Sequence, residues 1–339
     1  MLRTLTSAPR AERAADPRPL AELYAPVAAE LQHVARILHD ELVSDEPRID
    51  ELCRYVEHYH GKQLRPALLL LAGQACGPLR PAHRVLAAVV ELVHLATLVH
   101  DDVLDDGNLR RRAATVNRMW GNEQALLLGD ILFSHAYRLC STLDSQDAAE
   151  TIAQTAITVC EGEMLQIAHR GDYDLSEETY LNIITRKTAA LTGTCTRLGA
   201  QFAGADEHTC ARVQEFGVCL GIAFQIIDDL LDLTGDEAIA GKSLYRDVQK
   251  GEPTLPLIHF LRASAPPART EMLALLPRDD AGRCGRITAL LEATRSVAYA
   301  RHAAQDYIRR AGDLLATLPP SDARQSLYRL GEFVLTRGC

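Results

Sequence analysis

The sequence predicts an all-α fold, and three observations support this prediction. Aromatic residues make up only 5% of the chain, alanine and leucine recur at helix-like spacing, and β-branched runs bounded by turn residues are scarce. With 339 residues, 47% of them hydrophobic, the chain is long enough to bury a large core. Because no shift in composition marks a domain boundary, we expect a flexible tail over residues 1–19 and a single-domain helical bundle over residues 20–339.

From Leu20 onward, helical patterns alternate with short breaks. Glycine, proline and serine mark these breaks, which fall at Ser44–Pro47, Gly73–Pro81, Gly107–Ala113 and Gly171–Ser176. The stretch Arg262–Gly282 is rich in proline, arginine and aspartate, and we expect it to be a loop between surface helices of the same domain. Two apolar helical runs, Leu92–Val99 and Val218–Ile227, each lead directly into a group of aspartates.

Composition and charge limit the possible partners and compartments. A net charge of -9, from 45 acidic and 36 basic residues, argues against general affinity for nucleic acid or anionic lipid. Nine scattered cysteines without a Cys-x-x-Cys pair predict neither a disulfide framework nor a zinc site, which fits the reducing cytoplasm. The most apolar long window, Val85–Val99, contains Glu91 and His94 and is shorter than the roughly 20 residues that a bilayer span requires. We therefore expect a cytoplasmic protein without stable membrane insertion.

The pattern D-D-x-x-D occurs twice and is the strongest signal in the chain. We call Asp101, Asp102 and Asp105 the first aspartate cluster, and Asp228, Asp229 and Asp232 the second aspartate cluster. On a helix, residues i and i+4 lie only about 40° apart, so the outer aspartates of each cluster project together. Carboxylates crowded in this way need a cation, and clusters of oxygen ligands suit Mg²⁺. A single cluster is as readily a solvated helix end, but two copies after apolar helices predict metal binding.

Metal-bound aspartates alone do not hold a phosphorylated substrate, so separate cations are needed for its outer oxygens. Candidates with basic or hydroxyl side chains near the clusters are Lys62, Arg65, Arg110, Arg111, Lys187, Thr188 and Lys242. Each basic residue alone is more simply a surface charge, and their placement around the clusters is what favours binding. His94 precedes Asp101 by seven residues and therefore lies about 20° away on the same helix face.

These residues resemble those of the trans-prenyl diphosphate synthases, the polyprenyl synthetase family, from about Tyr24 to Arg337. The matching motifs are Gly61-Lys62-x-Leu64-Arg65-Pro66, Glu91-Leu92-x-His94, His100-Asp101-Asp102-x-x-Asp105, Arg110-Arg111, Thr115-Val116-Asn117, Gly129-Asp130, Lys187-Thr188-Ala189, Phe224-Gln225-Ile226-Ile227-Asp228-Asp229-x-x-Asp232, Gly241-Lys242 and Thr254-Leu255-Pro256. So many motifs in the same order are far more specific than any one of them.

The resemblance implies a helical bundle around a deep central cavity, three Mg²⁺ ions and a homodimer. The implied activity is a trans-polyprenyl diphosphate synthase, which condenses isopentenyl diphosphate head to tail with an allylic diphosphate. By resemblance, the two aspartate clusters hold the metal ions of the allylic diphosphate, whose other partners are Arg110, Lys187, Thr188, Gln225 and Lys242. The isopentenyl diphosphate site is similarly assigned to Lys62, Arg65, His94 and Arg111. Among all these, the expected catalytic set is Asp101, Asp105, Asp228, Lys187 and Lys242.

Three departures from the family pattern stand out. Gln63 occupies a position where the family often has a basic residue, and Arg112-Ala113-Ala114 replaces a common glycine-containing stretch. Gly251-Glu252-Pro253 lacks a lysine that the family frequently has before Thr254. None of these changes removes a predicted metal ligand, but the last one predicts a weaker hold on the allylic diphosphate.

Residues just before the first aspartate cluster bear on product length. In the family, bulky side chains at the positions of Ala96 and Thr97 accompany short products, whereas both residues are small here. We therefore expect a product longer than 20 carbons, with a geranylgeranyl diphosphate synthase as the shorter alternative.

Other classes of protein explain less of the sequence. A class I terpene cyclase shares the first cluster, but its second motif usually mixes Asn, Ser or Thr with Glu. A His-Asp metal phosphohydrolase is suggested by His100-Asp101, yet it leaves the second cluster unexplained. A non-catalytic subunit would be free to lose the cluster carboxylates, all six of which are present.

Overall fold

The computed structural model describes residues 20–59, 61–111, 113–234, 245–278, 280 and 282–337. These residues are almost entirely helical, so the predicted fold class is confirmed. The helices are α1 (Leu20–Leu23), α2 (Ala28–Glu41), α3 (Pro47–Tyr55), α4 (Leu64–Cys76), α5 (Pro81–Leu104), α6 (Val116–Trp120), α7 (Asn122–Ser141), α8 (Gln146–Ala168), α9 (Glu177–Ile184), α10 (Ala190–Phe202), α11 (Glu207–Thr234), α12 (Arg246–Lys250), α13 (Leu255–Ala263), α14 (Pro266–Leu275), α15 (Arg283–Ala293), α16 (Ser296–Leu315) and α17 (Asp322–Thr336). The predicted tail over residues 1–19 lies outside the described residues.

A short hairpin interrupts the helices after α5. Strands β1 (Leu109–Arg110) and β2 (Ala113–Ala114) are antiparallel, with Leu109 opposite Ala114, and they are the only strands in the part of the chain that the structure describes. The hydroxyl of Thr115 donates to the carbonyl of Gly107 at 2.5 Å and closes the base of this loop. The hairpin falls within the break predicted at Gly107–Ala113 and brings Arg110 back toward the end of α5.

Four apolar helices, α4, α5, α10 and α11, form the centre of the bundle. Helix α5 packs against α4 and α7, and α10 packs between α4 and α11. The approach of α10 to α4 is close enough that any side chain at Gly199 would collide with the backbone carbonyl of Leu69. The buried leucines of α4, Leu68 to Leu71, have no exposed surface, and burial of such side chains contributes about 1.5–3 kcal/mol each. The tight centre holds the ends of α5 and α11 in fixed positions.

Two predicted breaks differ from the structure. Helix α4 continues through Gly73 to Cys76, because this segment is packed in the core and tertiary contacts outweigh the low helix propensity of glycine. The predicted loop Arg262–Gly282 contains helix α14, so the prediction was wrong there. Proline in its first turn favours a helix start, and Met272 and Leu275 give the helix a buried side.

Helix α5 is longer than the apolar window that the sequence indicated. Within the described ranges it is the one helix long and apolar enough to span a membrane, and 67% of its most apolar window is buried inside the bundle. A core helix of a large bundle has this same character. Its C-terminal end carries the first aspartate cluster.

Candidate active site

The ends of α5 and α11 face a cavity of about 730 Å³. Its lining includes most of the residues predicted for the site: Lys62, Arg65, His94, Thr97, Asp101, Asp105, Arg110, Arg111, Lys187, Thr188, Gln225 and Asp228. The remaining wall is largely apolar and includes Leu98, Phe133, Val159 and Met164. Residues scattered over more than 160 sequence positions thus form one polar end of a single apolar cavity.

The outer aspartates of the first cluster face the cavity from the last turn of α5. Burial raises the pKa of Asp101 to about 7, although the nearby ammonium of Lys187 opposes this shift. Asp105 is the C-cap of α5 and has two cations beside it: Lys250 Nζ at 2.6 Å from Oδ2 and Arg170 Nη2 at 3.6 Å from Oδ1. Ionisation of Asp101 is therefore costly in the folded protein, whereas the charge of Asp105 is already balanced.

The middle aspartate of the first cluster has a different environment. Asp102 is 3% exposed and is absent from the lining of the cavity. Arg110 donates to it from Nε at 2.9 and 3.0 Å and from Nη2 at 2.7 Å, and the hydroxyl of Tyr59 donates at 2.8 Å. Its role as a metal holder stays a prediction. The contacts in the structure make it the anchor of Arg110.

The second cluster is divided between two pockets. Asp228 lines the main cavity, while Asp229 and Asp232 line an adjoining pocket of about 220 Å³. Asp229 accepts hydrogen bonds from the hydroxyl of Tyr180 at 2.6 Å and from Gln225 Nε2 at 2.7 Å. Burial raises the pKa of Asp229 to about 7 against the effect of these two hydrogen bonds. Metal binding by Asp229 and Asp232 likewise stays a prediction.

Lys187 and Thr188 lie on a π-helical turn, Thr185–Ala189, between α9 and α10. Such turns insert an extra residue into a helix and are frequent at functional sites. Lys187 Nζ lies 2.5 Å from Glu163 Oε2, and the hydroxyl of Thr188 donates to Gln225 Oε1 at 2.8 Å. Burial alone would lower the pKa of Lys187, but Glu163 and Asp101 outweigh it and raise the pKa above its usual value. Lys187 is therefore a half-buried cation that lies near Asp101 of the first cluster.

A second group of cations lies beside the start of α4. The side chain of Arg65 is half-buried, and its buried Nε has no hydrogen-bond partner within the described chain. Arg111 Nη1 donates to the carbonyl of Tyr59, and Lys62 Nζ lies 5.3 Å from the ring centre of Phe333. Three positive charges in one place, with the Nε of Arg65 unpaired among the described residues, suit an anionic ligand.

His94 lies among these cations. Burial, together with Arg65, Arg110 and Arg111, holds the pKa of His94 well below its usual value. His94 is therefore neutral at physiological pH and can donate from one ring nitrogen while it accepts at the other.

Not every predicted residue lies at the cavity. Thr97 lines it, but Ala96 is fully buried and is not part of its lining. Lys242 lies outside the described residues. The sequence analysis did not find Tyr59, Tyr180, Arg170, Lys250, Glu252 and Arg337. Arg337 Nη2 lies 3.6 Å from Asp228 Oδ1, and its guanidinium lies over the Phe224 ring. Because Arg337 is far from both clusters in sequence, local spacing could not identify it.

The chemistry of the site suits Mg²⁺ with an anionic substrate. No three His, Cys, Asp or Glu side chains converge on one point within the described residues, so the protein alone offers no complete ligand set there. Asp101, Asp105 and Asp228 nevertheless face one cavity that is rich in cations. Mg²⁺ usually takes only one or two carboxylates and completes its shell with waters and phosphate oxygens. The site fits such an ion when a phosphorylated substrate is present.

Comparisons with known proteins identify relatives of this chain. The short chain isoprenyl diphosphate synthase of Methanothermobacter thermautotrophicus is 34% identical, over 85% of this chain and 91% of the relative. The octaprenyl diphosphate synthase of Escherichia coli is 32% identical, over 91% of this chain and 96% of the relative. The crystal structure of a Caulobacter crescentus polyprenyl synthase, complexed with calcium and isoprenyl diphosphate, matches with a TM-score of 0.89 and 32% identity, covering 96% of this chain and all of that one.

The family model for polyprenyl synthetases matches residues 46–293, which is most of the chain and includes both aspartate clusters. The predicted family and reaction class are confirmed: the chain belongs to the polyprenyl synthetase family and is a prenyltransferase.

Proposed function

We propose that this protein condenses isopentenyl diphosphate head to tail with an allylic diphosphate in a Mg²⁺-dependent reaction, and that its product is longer than C20. The observation that supports this proposal is the division of one cavity into a polar end and an apolar wall. Asp101, Asp105 and Asp228 lie at the polar end, together with the half-buried cation Lys187. A diphosphate headgroup and a growing hydrocarbon chain match these two parts.

The allylic diphosphate would bind between the two clusters. Asp101, Asp105 and Asp228 would hold Mg²⁺, with three ions as the family resemblance implies. When bound, Mg²⁺ supplies the positive charge that stabilises a departing diphosphate. Lys187 and Arg110 add fixed donors for the outer oxygens.

Isopentenyl diphosphate would bind at the second group of cations. The unused Nε of Arg65 and the ammonium of Lys62 suit a second diphosphate. The neutral ring of His94 adds a hydrogen bond without further charge. Arg111 lies beside this group, and its guanidinium is oriented by the carbonyl of Tyr59.

The apolar wall then protects the reaction. Ionisation of the allylic substrate leaves a carbocation, which the double bond of isopentenyl diphosphate attacks before a proton is lost. Leu98, Phe133 and Val159 exclude water from this carbocation. The departing diphosphate can accept the proton, so no side-chain base is required.

Two observations favour a long product. Thr97 is a small cavity-lining residue one turn before Asp101, and it leaves room for an extended chain. One relative is named octaprenyl diphosphate synthase, and an octaprenyl product is longer than C20. Another relative is named short chain isoprenyl diphosphate synthase, which supports the shorter alternative, a geranylgeranyl diphosphate synthase.

One incubation tests both parts of the proposal. Purified protein is mixed with Mg²⁺, radiolabelled isopentenyl diphosphate and, separately, C10, C15 and C20 allylic primers, and the products are separated by chain length. We expect products beyond C20 that disappear with Asp101→Ala and persist with Asp306→Ala, which alters an aspartate on the exterior of α16. Elongation that stops at C20 would overturn the long product, and no elongation with any primer would overturn the reaction.

We also propose that the protein is a cytoplasmic homodimer. Helix α7 exposes large apolar side chains on one side: Leu126, Leu127 and Tyr137 are 45%, 62% and 44% exposed. A second copy would cover this face, as the family resemblance implies. Light scattering should give twice the chain mass for the wild type and the single mass for Leu127→Glu. A monomeric wild type would contradict the dimer.

A further inference from the structure

Lys250 connects the two aspartate clusters. Its Nζ lies 2.6 Å from Oδ2 of Asp105 in the first cluster. Lys250 is the last residue of α12, and α12 is fastened to the second cluster: Tyr245 N donates to the carbonyl of Asp232 at 2.9 Å, and Asp247 N donates to its Oδ2 at 3.2 Å. The ammonium of Lys250 thus extends from the scaffold of one cluster to a carboxylate of the other.

The segment that follows Lys250 is held equally firmly. Gly251 adopts a left-handed conformation with φ of 69°, which glycine accepts without strain, and its carbonyl accepts from Gly171 N at 2.7 Å. Glu252 is 8% exposed and accepts from Arg170 Nε at 2.9 Å and from the amide of Gln166. Glu252 lies in the stretch Gly251–Pro253, which lacks the lysine that the family frequently has before Thr254. Here it orients Arg170, whose Nη2 lies 3.6 Å from Asp105.

The position of Lys250 suits a diphosphate ligand. Lys250 lines the same pocket as Arg110, Lys187 and Gln225, which are three of the residues that we assign to the allylic diphosphate. Its side chain is 23% exposed, so the ammonium has access to this pocket. A lysine carries a compact charge on a flexible stem and can change partners by rotation of side-chain bonds alone.

We propose that Lys250 is a diphosphate-binding residue that pairs with Asp105 in the metal-free site and turns to the allylic diphosphate once Asp105 serves as a metal ligand. Lys250 thereby takes the part of the lysine that the stretch Gly251–Pro253 lacks. This inference rests on the proposed function, because it requires a metal-bound allylic diphosphate in this cavity.

The proposal has two consequences of opposite sign. In the absence of substrate, Lys250 competes with a divalent cation for Asp105, so removal of its charge should strengthen binding of the cation. In the presence of substrate, the same removal deletes a charge-assisted hydrogen bond to the diphosphate and should weaken substrate binding. A lysine that only supported the fold would not produce both effects.

Isothermal titration calorimetry tests the two consequences separately. Mg²⁺ alone is titrated into the full-length protein. Farnesyl thiolodiphosphate, an analogue whose thiolodiphosphate group does not depart to leave a carbocation, is then titrated at saturating Mg²⁺. The variants are Lys250→Met, Lys250→Arg and, as a control for loss of a surface charge, Arg309→Met, whose side chain is 67% exposed. Circular dichroism verifies that each variant is folded.

We expect Lys250→Met to bind Mg²⁺ alone several-fold more tightly and the thiolodiphosphate about ten-fold more weakly, while Lys250→Arg recovers much of the thiolodiphosphate affinity. Arg309→Met should match the wild type in both titrations. Changes in the same direction, or wild-type affinities in Lys250→Met, would overturn the role of Lys250 alone. A wild-type protein that does not bind the thiolodiphosphate at all would overturn the proposed function together with this inference.

Discussion

Arg110 grips Asp102 with two of its guanidinium nitrogens, at distances of 2.7 to 3.0 Å. The neighbouring residue, Asp101, has the opposite environment, since it lines the cavity and burial raises its pKa to about 7. Two adjacent carboxylates therefore differ in their effect on stability. The charge of Asp102 is compensated by Arg110. The charge of Asp101 destabilises the metal-free fold, and the site keeps this residue because it serves ligand binding.

The first prediction concerns Asp102, the carboxylate that Arg110 compensates. Asp102→Asn keeps the size of the side chain but removes the negative charge that faces Arg110. Breaking a fully buried ion pair costs about 3–5 kcal/mol; because a quarter of the Arg110 side chain is exposed, we expect about 2 kcal/mol here. Thermal unfolding should show a lower Tm, and the KM for the allylic diphosphate should rise because Arg110 loses its anchor. Asp174→Asn, at a side chain that is 89% exposed, should leave both values unchanged.

The second prediction concerns Asp101, the carboxylate whose pKa is raised. The folded protein keeps a proton on Asp101 up to about pH 7, whereas the unfolded chain releases it near 4. Rising pH therefore costs stability across this interval, and Asp101→Asn removes that cost. In metal-free buffer at pH 8 the variant should be more stable, by up to about 4 kcal/mol, although it loses activity.

Tm values measured with a chelator from pH 8 to pH 5 test this prediction. The advantage of Asp101→Asn should shrink as the pH falls, because the wild-type carboxyl becomes protonated in the folded state. An advantage that is equal at every pH would show that charge burial is not its cause. Asp102→Asn serves as the matched comparison, since it should be destabilised throughout.

The third prediction concerns His94. Burial and three arginines hold the pKa of its ring below the usual value, so at acidic pH the unfolded chain takes up a proton that the folded protein refuses. The stability associated with His94 is therefore full above about pH 6.5 and is lost as the pH falls below it. The Tm of the wild type should fall more steeply between pH 7.5 and 5 than that of His94→Gln.

The pH dependence of stability that comes from Asp101 has the opposite sign. It is present in both the wild type and His94→Gln, so it cancels when their Tm values are compared at the same pH. His39→Gln is the control, because the side chain of His39 is 56% exposed. Parallel Tm curves for the wild type and His94→Gln would mean that the imidazole takes up its proton without cost to the fold.

Helical spacing was enough to predict which polar residues of α5 line the cavity together. Asp101 and Asp105 share a helix face with His94, and all three line the cavity. The same rule of 100° per residue places the middle aspartate of each cluster about 100° from the first aspartate, so these two side chains point in different directions. That signal was present in the sequence for both Asp102 and Asp229.

The partners of the middle aspartates could not be predicted in this way. Tyr59 donates to Asp102 across 43 residues, and Tyr180 donates to Asp229 across 49. These contacts depend on how separate segments pack, which no local spacing encodes. For the same reason the sequence showed that a lysine is missing before Thr254, but not that Lys250 contacts the first cluster.

The last prediction concerns product length. Thr97 and Phe133 both line the cavity, from α5 and α7. Thr97→Phe adds an aromatic ring beside the growing chain and should shift the products to C20 or shorter, whereas Phe133→Ala removes a ring and should lengthen them. Thr97→Val has nearly the volume of the wild-type residue and should leave the distribution unchanged. Mass spectrometry of the dephosphorylated alcohols measures all four distributions. If neither aromatic change moves the distribution, the growing chain does not pass these two residues, and product length is set at another part of the cavity wall.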